Sequence, residues 1–174
     1  MKVLAVAFLG LALLSTAKAR LGETKDELIQ RYGQVVKEED KEKELGGSVL
    51  TFSFKDYEVE VIIVSTTLCG IRFTNTAESV GFKKKNGKKI EETEVNALMG
   101  DYGEKDKWMQ PDRSPVFRSR ENDEFYLKDG SKNNGVICFI HKNPPYGISF
   151  FTEKYIGAII QAGVSNMSPP GSGK

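Results

Sequence analysis

The sequence predicts an α+β fold made of two tandem units, each a short helix followed by an antiparallel sheet of three to four strands. Three observations predict it. Apolar and polar residues alternate with period two over several consecutive stretches, helical spacing is confined to short segments between them, and the two halves of the chain rhyme. Leu28-Ile29 with Tyr32-Gly33 recurs as Leu98-Met99 with Tyr102-Gly103, a shift of 70, and Cys69 recurs as Cys138, a shift of 69. Strands that follow one another without crossover helices argue against a parallel α/β sheet.

The first element is an address. Lys2 precedes an apolar run from Val3 to Leu14, and Ala17-Lys18-Ala19 follows it, the layout of a secretory signal peptide over residues 1–19 cleaved after Ala19. The run is shorter than the roughly 20 apolar residues of a membrane span. The expected location is the periplasm or the extracellular space.

The first α-β unit is expected over residues 20–76. Thr24-Lys25-Asp26-Glu27 has the spacing of a capping box, and Leu28, Ile29, Tyr32, Val35 and Val36 fall on one helical stripe. Gly33 weakens the second half of that stripe by about 1 kcal/mol relative to Ala, so the helix is expected to end at Tyr32-Gly33. The mixed charges from Lys37 to Glu44 read as a solvated helix end or loop. Leu50, Phe52 and Phe54 then alternate with polar residues as one strand, Lys55-Asp56 forms a turn, and Tyr57, Val59, Val61 and Ile63 form a second strand. A third strand is expected over 68–74, with Cys69, Ile71 and Phe73 on one face.

Residues 77–89 read as a Lys-rich linker loop turning at Asn86-Gly87. The second unit is expected over residues 90–163. Its helix follows Thr93 through Val95, Leu98, Met99 and Tyr102, kept short by Gly100 and Gly103. Strands are expected at 116–119, 124–128, 135–141 and 147–152, and a last helix at 153–162. The tail, residues 164–174, with Ser-Pro-Pro-Gly-Ser-Gly, reads as disordered.

The 174 residues are 39% hydrophobic and 28% charged, which is ordinary globular composition. Without residues 1–19 the chain carries 23 basic and 24 acidic residues, a formal charge of −1. That near-neutral balance, with no glycine-rich phosphate cradle, argues against a nucleic-acid partner.

Candidate chemistry is sparse. His141 is the single histidine, three residues after Cys138, and on a strand that spacing points the two to opposite faces, so no metal site is expected. A nucleophile with a base and an orienting group is not evident, nor is a cofactor motif. Cys69 and Cys138 either form a disulfide, which the exported compartment permits, or pack as two buried thiols. Lys83, Lys84, Lys85, Lys88 and Lys89 form a basic cluster that either docks on an anionic membrane surface or is a solvated loop. Tyr102, Trp108 and Tyr146 are the candidates for an aromatic contact surface, since Trp and Tyr are enriched at binding hot spots.

Leu21-Gly22-Glu23-Thr24-Lys25-Asp26-Glu27-Leu28, followed by Tyr32-Gly33, resembles the Gly-x-Thr/Ser-x-x-Glu-Val/Leu helix start of a known superfamily. It joins the β-lactamase-inhibitor-protein (BLIP-like) fold with the small outer-membrane assembly lipoproteins of the SmpA/OmlA type. The resemblance implies a helix packed on an antiparallel sheet, two units in tandem, and action by contact. This chain lacks the lipoproteins' modified cysteine, and Val35 stands where their pattern has proline. The expected function is therefore a non-enzymatic, exported protein-binding module, with inhibition of a hydrolase as its specific form. The alternative is an envelope-associated structural protein that meets the anionic membrane through its Lys-rich loop.

Overall fold

The computed structural model describes residues 21–110, 122–127 and 135–163. The chain is α+β, and one large antiparallel sheet dominates it. Helix α1 (Lys25–Tyr32) begins with the capping box read from the sequence: the Thr24 hydroxyl accepts from the Glu27 N–H, and the Glu27 carboxylate accepts from the Thr24 N–H. It stops at Gly33, whose φ of 90° lies in the region where a side chain is disfavoured. Strand β1 (Val35–Lys41) and the single turn α2 (Glu42–Leu45) follow. Strands β2 (Gly47–Phe54) and β3 (Tyr57–Val64) form a hairpin about the Lys55-Asp56 turn. A small separate hairpin, β4 (Thr67–Leu68) and β5 (Ile71–Arg72), leads to β6 (Thr76–Lys84).

Helix α3 (Glu92–Gly100) and a 3-10 turn at Lys105–Lys107 precede the short strand β7 (Trp108–Met109). Strands β8 (Asn122–Leu127), β9 (Val136–His141) and β10 (Gly147–Thr152) lead into α4 (Glu153–Gln161). The eight-stranded sheet has the order β1-β2-β3-β6-β10-β9-β8-β7. Strands from the first half of the chain thus lie on one side of it and strands from the second half on the other.

Period-two alternation gives the sheet two buried faces. On the first, Leu28 and Tyr32 of α1 and Met99 of α3 pack on Leu50, Phe52, Val59, Val61, Val80, Phe82, Ile148 and Phe150. On the second, Tyr155, Ile156, Ala158 and Ile159 of α4 and Phe73 after β5 pack on Ile62, Val64, Ile137, Phe139 and Phe151. Burying both faces explains why β3 and β10 lose strict alternation and become wholly apolar at one end.

Several expectations need correction. The charged stretch 37–44 is strand β1 plus α2, because an edge strand keeps its backbone paired while its side chains stay in water. The third strand expected over 68–74 is instead the β4–β5 hairpin, turned by Cys69 and Gly70 at φ 48° and 79°. Most of the 77–89 linker is the interior strand β6, paired with both β3 and β10. Only the residues after Lys84 form a loop there. The second helix begins at Glu92 and ends at Gly100, so Tyr102 lies beyond it. Trp108-Met109, not assigned to a strand from the sequence, closes the far edge of the sheet. The signal peptide with its cleavage after Ala19, the strand at 116–119 and the tail 164–174 lie outside the described residues.

Candidate functional site

α4 and the β4–β5 hairpin cover only one end of the second sheet face. Directly paired residues share a face, so the register defines what lies on the other end. Lys37 of β1 stands opposite Thr51 of β2, Thr51 opposite Glu60 of β3, and Glu60 opposite Gly81 of β6. In the next row Ser53 stands opposite Glu58, and Glu58 opposite Lys83. Ser53 is exposed, while Thr51, Glu58, Glu60 and Lys83 are half-buried. The result is a polar half-face across β1, β2, β3 and β6.

Its charges are already paired. Lys83 Nζ contacts the Glu58 carboxylate and lies 3.6 Å from Glu60, and Lys37 lies 2.9 Å from Glu39. Burial pulls the Lys83 ammonium toward deprotonation, but Glu58 and Glu60 outweigh it and leave its pKa raised. The half-face ends at a set of turns. The Lys85 N–H donates to the Asp56 carbonyl at 2.9 Å, joining the β2–β3 turn to the loop after β6. Gly147, which follows Tyr146, starts β10 against Phe82 and His141 at this same end.

The structure disperses the basic cluster. Lys83 and Lys84 are neighbours on a strand and so point to opposite faces. Lys84 Nζ lies 2.7 Å from Glu94 of α3, whose carboxylate also accepts from the Tyr57 hydroxyl at 2.6 Å. Lys84, Tyr57 and the Glu91 N–H together hold the Glu94 pKa down at about 2. The Lys85 ammonium donates to the Lys55 carbonyl. Among the described residues this leaves Lys85, Lys88 and Lys89 of the cluster as exposed cations with no ion pair, Lys85 being held by a backbone carbonyl.

The aromatic candidates do not gather either. Tyr102 stacks on Phe150 with ring centroids 4.3 Å apart, and the Trp108 indole donates to the Met99 carbonyl at 3.3 Å. Both line the first face of the core. Trp108 sits in the row of Leu127, Val136 and Thr152, whereas Tyr146 is at the opposite end of β10. Tyr102 and Trp108 therefore pack inward, and Tyr146 alone adjoins the polar half-face.

The disulfide alternative is corrected as well. Cys69 is an exposed free thiol in a turn, Cys138 is a free thiol fully buried in β9, and no bridge joins them. Burial pushes the Cys138 thiol pKa well up. His141 Nε2 lies 3.3 Å from Ser149 Oγ, a nucleophile–base pairing that the sequence reading missed. Ser149 is 0% exposed and His141 7%, so the pair belongs to the packed interior, and burial lowers the His141 pKa. Among the described residues no group of three His, Cys, Asp or Glu is placed to hold a metal ion, and no helix is long and apolar enough to cross a membrane.

Glu58, Glu60 and Ser53 were not singled out as site residues, although the alternation that predicts their strands also marks them as the outward set. Glu94 carried only the signal of its position three residues after Glu91. Comparison of the chain with family models, curated proteins and solved structures finds no match in any of the three.

Proposed function

We propose that the chain is an exported, non-enzymatic protein-binding module whose contact surface is the polar half-face of its sheet together with the turns at its end. The observation that carries this reading is the half-covered second face, where pre-formed Lys83–Glu58 and Lys83–Glu60 pairs hold polar groups in place before any partner arrives. Four strands about 4.8 Å apart and some five residues long give roughly 300 Å² in projection. A stable interface takes about 800 Å² per partner, so the turns contribute the rest. Lys85, Lys88, Lys89 and Tyr146 then belong to the rim.

The tandem architecture is part of the proposal. α1 with β1, β2, β3 and β6 reads as one unit, and α3 with β7, β8, β9 and β10 as its copy. The strand order, which mirrors about the β6–β10 pair, supports that reading, as do the two Tyr-Gly pairs, one at the end of α1 and one just beyond α3. Such a chain is similar to the tandem inhibitor proteins named above, and inhibition of a secreted or periplasmic hydrolase is the form of binding it favours. Dispersal of Lys83, Lys84 and Lys85 into local contacts argues against the anionic-membrane alternative.

The test is capture of secreted and envelope proteins on immobilised residues 20–174, in parallel with a Ser53→Arg/Glu58→Arg variant whose circular dichroism matches the parent. A saturable partner held by the parent and lost by the variant is expected. No retention at micromolar concentration, or retention equal in both, overturns the reading.

A further inference from the structure

The β4–β5 hairpin has two unlike sides. Leu68 and Ile71, paired across it, pack against the second core cluster, while Thr67 and Arg72 form the other cross-strand pair and share the side turned away from that core. Beside this pair lies a cleft of about 590 Å³. Ser65, Thr66, Thr67 and Thr74 bring four hydroxyls to its lining, Asn75 brings an amide, and Arg72 is its single charged group. The Arg72 guanidinium is exposed and has no ion pair among the described residues. Lys154, the cation over the Phe73 ring, is instead taken by Glu78 at 3.0 Å. The cleft is fixed before anything enters it. The Phe73 N–H donates to the Thr66 carbonyl at 3.0 Å and the Asn75 N–H to the Val64 carbonyl at 2.9 Å, so the two lining segments are clamped together beyond the hairpin's own ladder. Phe73, itself buried, sets its ring 5.8 Å from that of Tyr155 in α4 and anchors its wall of the cleft in the core.

We infer that this cleft binds a tetrahedral oxyanion group, a phosphate or sulfate ester, with Arg72 as its charged anchor. A guanidinium offers two parallel N–H donors, which match two oxygens of a carboxylate, phosphate or sulfate. That fork uses both oxygens of a carboxylate, whereas a tetrahedral group keeps a further oxygen for the hydroxyls beside Arg72, each of which can donate. No Asp or Glu lines the cleft, so no lining group repels negative charge, and a metal cation finds no carboxylate there. The volume is that of small-molecule sites, about 300–1,000 Å³, which leaves room for the molecule that carries the ester. The cleft lies beside α4 at the covered end of the second face, apart from the polar half-face, and its ligand is independent of the binding-module reading.

The test is titration of the isotope-labelled protein with methyl phosphate, methyl sulfate and acetate at one ionic strength, followed by amide chemical shifts. Saturable shifts centred on residues 65–67 and 72–75 are expected with at least one ester, and the tighter of the two identifies the group. Acetate binds at least about five-fold more weakly, since it forgoes a hydroxyl contact. Arg72→Gln changes an exposed side chain, and its circular dichroism is expected to match the parent. It weakens the ester by about ten-fold or more, because the charged fork is lost. No response at these residues to either ester, shifts centred instead on Lys88 and Lys89, acetate bound as tightly as the esters, or unchanged ester affinity in Arg72→Gln each overturns the assignment.

Discussion

Removing the Glu78 carboxylate is predicted to be among the most damaging single changes in the protein. Glu78 is 1% exposed and sits at the irregularity of β6, where the register with β3 shifts between Ile62 and Ile63. Its carboxylate accepts from the Thr76 hydroxyl at 3.1 Å and from the Thr152 hydroxyl, and it pairs with Lys154 Nζ at 3.0 Å. Thr152 is also the N-cap of α4, accepting from the Tyr155 N–H at 3.3 Å, and Lys154 lies over the Phe73 ring at 5.0 Å. Glu78→Ala therefore releases two hydroxyls and one ammonium together, and losing one member of such a buried set costs about 3 kcal/mol. Glu78→Gln keeps the shape and one acceptor oxygen, turns the other into an amide donor to which a threonine oxygen can still bond with the direction reversed, and loses the charge toward a lysine whose side chain is 35% exposed, so about 1 kcal/mol is expected. Urea unfolding followed by circular dichroism separates the two. A Glu78→Ala cost below about 1 kcal/mol, or equal costs for the two variants, would refute the argument that the hydroxyl contacts carry most of the stabilisation.

Acid should weaken the α3 attachment through Glu94. Its folded pKa of about 2 lies below the usual 4.5, so its contribution is present above pH 4.5 and is lost as pH falls toward 2. With the side chain about one-third exposed, solvent screening reduces that contribution to about 1 kcal/mol, read as the extra acid sensitivity of the parent over Glu94→Gln. Two glycine substitutions should act in opposite directions. A Cβ on Gly47 would stand 1.8 Å from the Ile63 carbonyl oxygen, so Gly47→Ala forces β2 off β3 and costs about 3 kcal/mol or more in urea unfolding. A Cβ on Gly157 of α4 meets nothing within 4 Å, so Gly157→Ala gains about 0.5–1 kcal/mol. For the cysteines, a thiol reagent should modify Cys69 alone in the native protein and both residues in denaturant; non-reducing mass spectrometry showing a Cys69–Cys138 bridge would contradict the free-thiol assignment.

Local signals transferred well from sequence to structure, and long-range ones did not. The capping box at Thr24 and Glu27, the stop at Gly33 and the alternation over 50–54 and 57–63 all depend on neighbouring residues, and each lies where the pattern places it. Strand β6 escaped because its interior position is set by partners far along the chain. Glu78, Ser79 and Gly81 interrupt its apolar pattern, yet all three are buried there. Strand β1 escaped for the opposite reason: at an edge, charge does not disqualify a segment from pairing. In the sequence the lysine cluster has the signature of a loop, and its dispersal follows from the placement of Lys83 and Lys84 on a strand with acids on each side of the sheet.

The residues hardest to see in the sequence also decide which part of the sheet is left open. Glu78 and Thr152 fix the start of α4, whose nine residues span only about 13.5 Å. Tyr155 then ties that helix to the Leu45 carbonyl at 3.0 Å, so it lies over Ile62, Val64, Ile137 and Phe151 at one end of the face. Beyond its reach β2 and β3 turn outward with Thr51, Ser53, Glu58 and Glu60, and Lys83 neutralises the acids nearest to it. Apolar residues in these positions would have made an exposed hydrophobic patch, a liability for aggregation. Hydroxyls and paired charges keep the same surface hydrated while leaving its Lys83, Glu58 and Glu60 groups held in place, which is the physical ground for the proposal that a partner would meet this half of the sheet.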